Sequence, residues 1–574
     1  MIGKGYFKVF FIFLVLGLLI YANSFQNKLF WDDDDNIVKN VYIKSWKFLP
    51  NYFKENLIAG AGLHSNYWRP LLLFSFSLDY KIWKLNPFGY HLTNTILHIF
   101  NSLLIYYLLF FIFKNKKIAF LTALIFLLHP LQTEAVTYVS GRGDSLSIFF
   151  VLLAFIFYCF AKERNKNKYL VLSSCFFIFA LLVKESTIFF PALILLYEVL
   201  YPSKKLKDIL TRILPLFLIA FIYILLRLTI LNFGQTLNLY GEENIFTQNI
   251  HYRIFTFLKI LLIYFSLYFA PIHLHMERTT EILTTFFHPA VIISLIILIL
   301  IIFVSYYFFK KGNKIFAFGF GLFFISLFPF SNIFVPISGL LYEHWLYFPL
   351  VGLSLILAYL FNFLFFEFLP KLKLNKFFRL ILFGIFIFFL VFLSARTILR
   401  NFDWKNPITF YNQTLKYSET TRVHNNLAMA YDEEGDFEKA ISHYKRAIEI
   451  SDIYPQTHNN LGNTYKEMGE TEKAIEEFEI AIKMDKYFFV AYNNLANLYF
   501  EQKEYDKAIE VYQNYLKITP KNLITLYNLG TIYYIKKDYD SAILTFQKIL
   551  EIQPENEEIF NLIQKMKNER ILNQ

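Results

Sequence analysis

Apolar runs of about 18 or more residues recur through the first two thirds of this chain, each long enough to cross a bilayer as a helix. This pattern constrains the fold more than any other, because in hydrocarbon every backbone N–H and C=O must be satisfied within its own segment. Of the 574 residues, 56% are hydrophobic and 70 are Phe, which is not the balance of one soluble globule. Spans are expected near 6–22, 91–113, 118–133, 144–161, 169–183, 187–201, 213–230, 290–309, 315–332, 346–366 and 378–395, about eleven in all. The stretch 255–271 is also apolar enough but breaks the alternation of sides, and 231–289 as a whole suggests no role. The net charge of +11 would suit nucleic acid, yet the Lys and Arg residues sit in short clusters between apolar runs. Lys114 to Lys117, Lys162 to Lys168, Lys204 to Arg212, Lys310 to Lys314 and Lys371 to Arg379 read as cytoplasmic loops, so no nucleic-acid partner is expected. Cys159 and Cys175 lie inside apolar runs, without disulfide or metal-ligand spacing. The first run, with Lys4 and Lys8 before its apolar core, reads as an uncleaved span because no small-residue cleavage site follows.

Threading the chain with the basic loops inside gathers its other ionisable groups on the opposite face. Phe30-Trp31-Asp32-Asp33-Asp34-Asp35-Asn36-Ile37 follows the first span, and like charges so close raise at least one carboxyl pKa, one way to make a general base. The plainer alternative is a solvated acidic loop that stops the first helix. The segment His129 to Asp144, the turn Lys184-Glu185-Ser186 and Tyr342-Glu343-His344 share that face, and ionisable groups at membrane depth usually line a cavity or bind something. Arg142 and Asp144 could instead form an ion pair fixing their loop, and Lys184-Glu185 could be an interfacial turn. His91, Asn94, His98 and Asn101 lie at helical spacing and read as interhelical hydrogen bonding before any catalytic or metal role.

From about Asp403 the apolar runs vanish and a 34-residue period appears. Asn426-Leu427, Asn460-Leu461, Asn494-Leu495 and Asn528-Leu529 keep that spacing, as do Ala440, Ala474, Ala508 and Ala542, and Tyr431, Tyr465, Tyr499 and Tyr533. This is the tetratricopeptide pattern, a stack of helix-turn-helix units. The expected fold is therefore all-α: a polytopic membrane domain over 1–400, then a solenoid of four to five repeats over 401–574. Trp404 to Thr421 reads as a degenerate opening repeat and 555–574 as a capping helix. Asn426, Asn460, Asn494 and Asn528, one per repeat, suit a groove that grips an acceptor peptide's backbone, with packing inside the repeat as the alternative.

The ordered set Trp31-Asp32-Asp33-x-x-x-Ile37, Tyr67-Trp68-Arg69-Pro70-Leu71, Asn86-Pro87-Phe88-Gly89-Tyr90-His91-Leu92, His129-Pro130-x-x-Thr133-Glu134-Ala135-Val136, Gly141-Arg142-Gly143-Asp144, Lys184-Glu185 and Glu343-His344-Trp345-Leu346-Tyr347-Phe348-Pro349 resembles the transmembrane and tetratricopeptide-repeat O-mannosyltransferases of the GT-C glycosyltransferase superfamily. The resemblance covers nearly the whole chain except about 231–330. It implies a polyprenyl-phosphate-linked sugar as donor and a Ser or Thr hydroxyl of a protein outside the cytoplasm as acceptor. It further implies Asp32 or Asp33 as general base, and Glu134 as a second acidic position that orients the acceptor or assists a divalent cation if one is used; no metal ligands are assigned. Arg69, Arg142, Lys184 and His344 are implied as donor-phosphate contacts. His344 stands where the family often has Arg, and a histidine holds phosphate less surely at neutral pH. Reaction by inverting displacement, in a bacterial inner membrane with the active-site loops and repeats in the periplasm, completes the expectation. The rival readings are a non-catalytic membrane-anchored repeat scaffold, a GT-C transferase acting on lipid or glycan acceptors and, more remotely, a transporter.

Overall fold

The computed structural model describes residues 4–203, 205–233, 245–337, 339–369, 371 and 376–572. Among them every regular element is helical. Lys204 and residues 372–375 of the basic run Lys371 to Arg379 lie outside the described residues. The chain forms two compact units, Met1–Gln413 and Thr414–Gln574.

Among the described residues of the first unit, eight helices are long and apolar enough to cross a membrane, or nine if Lys116–Leu128 and Pro130–Val136, bent by 58°, form one broken span. The break falls at His129-Pro130, where proline removes a backbone donor and the His129 side chain accepts from Leu131 N–H instead. Asn167–Val183 and Ile315–Phe330 are apolar but shorter, and Phe190–Leu200 has only 11 residues. The stretch that broke the expected alternation is a helix of 20 residues, Ile250–Phe269. Asn-Pro at 86–87 starts the helix Pro87–Phe113, with Asn86 accepting from Phe88 N–H. Asn115 likewise caps Lys116–Leu128 by accepting from Lys117 and Ile118.

Arg142–Arg164 is the hub. In its apolar window 72% of residues are buried inside the protein, against 11% for Pro289–Lys310, which leaves most of its surface for lipid. Helices Ile315–Leu327 and Pro349–Asn362 cross at Gly319 and Gly352, where a Cβ on Gly352 would lie 2.1 Å from the Gly319 carbonyl oxygen. Trp404, Phe410 and Tyr411, read from sequence as part of an opening repeat, pack in this unit against Phe30.

The second unit comprises four helix pairs, Thr421–Glu433 with Phe437–Ile450, Pro455–Glu467 with Thr471–Met484, Phe489–Glu501 with Tyr505–Ile518, and Leu523–Ile535 with Tyr539–Ile552, and a last helix, Glu557–Leu572. Ala440, Ala474, Ala508 and Ala542 are fully buried at equivalent positions, because only a small side chain fits where paired helices approach. The turn inside each pair needs one residue in the left-handed region: Gly435 and Gly469 supply it in the first two repeats, Lys503 (φ 64°) and Lys537 (φ 63°) in the last two. A side chain there costs about 1 kcal/mol, partly offset by the entropy a glycine loses on folding. Lys503→Gly should therefore raise the stability of the repeat unit by about 0.5 kcal/mol in urea unfolding of the full chain. An unchanged or lower midpoint would contradict this account of the turn.

Candidate functional site

The segment His129–Asp144 is almost wholly buried, so each of its polar side chains must find a partner. Those partners come from elements far apart in sequence. His129 Nε2 lies 3.0 Å from the Tyr268 carbonyl, and Gln132 donates to the Tyr347 carbonyl at 3.3 Å. Glu134 accepts from the backbone N–H of His344 at 3.1 Å and holds its ring Nδ1 at 2.7 Å. The Thr137 hydroxyl donates to Asn401 at 2.6 Å. Tyr138 stacks between Trp31 and Trp404 at centroid distances of 5.2 and 5.1 Å. Ser140 gives Asp33 Oδ1 both its N–H (2.8 Å) and its hydroxyl (2.6 Å). Arg142 pairs with Asp79 at 2.5 Å, and Asp144 with Lys184 at 2.6 Å.

The acidic loop is not a uniform solvated run. Trp31 has φ 62°, rare for a non-glycine residue, and this turn aims successive side chains differently. Asp32 is exposed, whereas Asp33 is 1% exposed. Burial pushes the Asp33 carboxyl up to about 7, against the hydrogen bonds from Ser140 and Phe30, and the Asp32 charge adds to the rise. The Tyr138 phenol is raised well above its ordinary value by burial and by the charges of Asp32 and Asp33.

The cations expected at a donor phosphate take three different settings. Arg69 makes a two-point ion pair with Glu185 (3.1 and 2.5 Å) and lies over the Tyr67 ring at 4.3 Å. Lys184 is tied to Asp144 and lies 5.9 Å from the Phe330 ring. The Asp144 charge reaches Arg69, so these two pairs form one patch. Arg142 stands apart: it is fully buried and donates to Asn94, Asp79, the Tyr90 carbonyl and Ser75. Its guanidinium is thus engaged by the protein, and the anticipated Arg142–Asp144 pair is replaced by Arg142–Asp79 and Lys184–Asp144. His98 Nδ1 lies 2.9 Å from the Tyr347 hydroxyl, and Asn94 and Asn101 donate to carbonyls on the segment 136–145, which makes the histidine-asparagine stripe interhelical glue.

Sequence reasoning placed Glu343 on this face but missed its partners Arg278 and Arg400. Glu343 accepts from His275 N–H at 2.8 Å and pairs with Arg278 at 2.9 Å and, at 3.7 Å, with the fully buried Arg400. Arg278 lies in the stretch without motifs. Arg400-Asn401, ionisable and polar residues ending the last apolar run, carried a usable signal. An aromatic wall runs from Tyr342, stacked 5.4 Å from His344, through Trp345 to Phe330, stacked at 5.1 Å. Beside Arg69 an apolar groove of about 240 Å³ opens between Trp68, Leu181, Leu182, Ile219, Tyr223 and Leu226.

In the repeat unit, Asn494 donates to Asn459 and Asn528 to Asn493, both at 2.9 Å, so these half-buried amides link successive repeats. Asn426 and Asn460 accept weakly from their neighbours Asn425 and Asn459 at 3.4 and 3.5 Å. Among the described residues no group of three or more His, Cys, Asp or Glu side chains is arranged to hold a metal ion.

Comparison with known proteins places these features in context. The family described as dolichyl-phosphate-mannose-protein mannosyltransferase matches residues 69–231. Tetratricopeptide-repeat families match 428–469, 462–503 and 487–555. Protein O-mannosyl-transferase TMTC1 of Mus musculus is 34% identical over 204 residues, 33% of this chain and 21% of that protein. Protein O-mannosyl-transferase F38B6.6 of Caenorhabditis elegans is 27% identical over 456 residues, 78% of this chain and 63% of that one. The chain thus spans less than two thirds of the length of these curated relatives. The crystal structure of MamA is 25% identical over 29% of this chain and 96% of its own, with a TM-score of 0.24. The chain is a multi-pass membrane protein that joins a region similar to protein mannosyltransferases to tetratricopeptide repeats.

The buried carboxyl of Asp33 sets a pH dependence. Between about pH 4 and 7 the folded state keeps a proton that the unfolded state has lost, so a stability penalty accumulates as pH rises through that window. Asp33→Asn retains an oxygen for Ser140 without the charge. Its melting temperature in detergent should match the wild type near pH 4 and exceed it by about 1–2 °C or more near pH 8. A constant gap across that range would contradict the assignment.

Proposed function

We propose, from that similarity and this geometry, that the membrane unit moves a mannose-like hexose from a polyprenyl-phosphate donor to a Ser or Thr hydroxyl of an extracytoplasmic protein by a single inverting displacement. The observation that carries the reading is the convergence, along one buried segment, of an acidic loop, a paired-cation patch and the Glu134–His344 pair. Asp32, exposed beside the Trp31 turn, is the general base that takes the acceptor proton as its oxygen attacks the anomeric carbon. Asp33 anchors the loop through Ser140 and keeps Asp32 outward. Arg69 and Lys184 take the donor phosphate by exchanging their carboxylate partners Glu185 and Asp144 for phosphate oxygens, which keeps buried charge compensated before and after binding. The apolar groove at Trp68 suits the first prenyl units of a lipid whose phosphate meets Arg69. Arg142 serves as a scaffold: its four sets of acceptors fix the start of the hub helix. Glu134 orients His344.

A phosphate is already a good leaving group, so the protein must contribute base, position and charge neutralisation. The repeat unit presents the protein acceptor, with Asn426, Asn460, Asn494 and Asn528 as the side chains that meet the peptide backbone. In the proposed topology the loops and the repeats lie on the periplasmic side of a bacterial inner membrane.

The test is transfer of radiolabelled hexose from dolichyl-phosphate and undecaprenyl-phosphate donors to protein, in membranes holding the wild type or Asp32→Asn at equal levels. Label in protein that falls about a hundredfold in Asp32→Asn is expected for loss of a general base. Transfer unaffected by that substitution would remove Asp32 from the role. Label found only in lipid or glycan would move the acceptor to the alternative class.

A further inference from the structure

The Glu134–His344 pair has the form of an oriented acid–base dyad. Glu134 is 2% exposed and grips His344 twice, by the backbone N–H and by ring Nδ1, so the imidazole cannot turn away. A carboxylate on Nδ1 fixes the proton there and makes Nε2 the reactive nitrogen. The His344 side chain keeps 23% of its surface exposed although its carboxylate partner keeps only 3%. Its ring is packed on Tyr342 and beside Trp345, which is stacked on Phe330, the ring next to Lys184. A continuous chain of aromatic contacts thus links the imidazole to the Phe330 ring beside Lys184. Among the described residues, the charged and titratable groups around the dyad include Tyr342 against the ring, Arg400, whose charge acts on Glu134, and Glu343, Arg278, His275 and Tyr264 behind it.

We propose that His344 is the general acid of the transfer reaction, giving its Nε2 proton to the departing lipid phosphate, and that Glu134 is its positioning residue. The inference rests on the transferase reading above. In the step, the acceptor oxygen forms a bond to the anomeric carbon and passes its proton to Asp32, while the bond from that carbon to the phosphate oxygen breaks. The electron pair of that bond stays on the phosphate, which takes the proton from His344 and leaves as the singly charged monoester. The neutral imidazole is reprotonated from solvent, and Asp32 releases the acceptor proton to solvent, so no other reactant is consumed. The chemistry suits the leaving group, because a phosphate monoester gains its second charge only near pH 6 and a site at membrane depth disfavours that charge.

The experiment measures single-turnover transfer from dolichyl-phosphate [3H]mannose to a Ser/Thr-rich peptide between pH 5.5 and 9, using full-length protein in liposomes. Wild type, His344→Gln, His344→Arg and Glu134→Gln are compared, with melting temperature as a check on folding. The wild-type rate should show an alkaline limb that falls about tenfold per pH unit, as expected when a protonated general acid is required. His344→Arg keeps the positive charge but is far too weak an acid to transfer a proton in this range, so it should be slower at pH 6.5 and flat to pH 9. His344→Gln should lose about a hundredfold at pH 6.5 and be flat as well. Glu134→Gln should slow transfer at pH 6.5 yet keep the alkaline fall that both His344 variants lose. Wild-type and His344→Arg profiles that superimpose would overturn the acid assignment while leaving the transferase reading intact. No transfer by the wild type would overturn both.

Discussion

A polar group withdrawn from water must be paired, and at His129–Asp144 this requirement organises the whole membrane unit. Some sixteen residues of buried chain carry more hydrogen-bonding capacity than they can satisfy locally, so the demand is met from outside: Asp33 at Ser140, Asp79 at Arg142, Lys184 at Asp144, His344 at Glu134, Asn401 at Thr137. Each pair draws a different element to the same end of the bundle. Removing one partner leaves the other charged or unsatisfied inside, a loss of about 3–5 kcal/mol for an ion pair, which makes the arrangement cooperative.

The electrostatics follow from that design. A resting site with uncompensated cations at membrane depth would be costly, and Arg69 and Lys184 are each held by a carboxylate. In the proposed reaction phosphate replaces those carboxylates, so the donor competes with Glu185 and Asp144 instead of entering an empty pocket. Arg142 is different in kind: five contacts from four residues use its guanidinium so fully that exchange would dismantle the start of the hub helix. Asp33 and Asp32, adjacent in sequence, separate into buried anchor and exposed acid because Trp31 turns the chain through the left-handed region.

Much of this was legible from residue order. The apolar runs foretold helices where helices lie, and the register-locked Ala440, Ala474, Ala508 and Ala542 marked the close helix contacts of the repeats because small size at a fixed spacing has one structural cause. Gathering the Asp32, His129–Asp144, Lys184 and His344 regions on one face needed only the basic loops as guides. Partner choice was not legible. Nothing in a one-dimensional pattern distinguishes Arg142–Asp144, two residues apart, from Arg142–Asp79, and Asp79 sits in an apolar helix, Pro70–Trp83, without a motif around it. Arg278 and Arg400 were missed for a related reason: their partner Glu343 is brought to them only by tertiary packing. Trp404, Phe410 and Tyr411 look like repeat residues by position, but the aromatic cluster on Phe30 claims them.

The most direct test of the account is the anomeric configuration of hexose delivered by the purified full-length protein. A single displacement predicts hexose on Ser or Thr with the configuration opposite to that in the polyprenyl-phosphate donor. Retained configuration, or a product with no sugar on Ser or Thr, would contradict it.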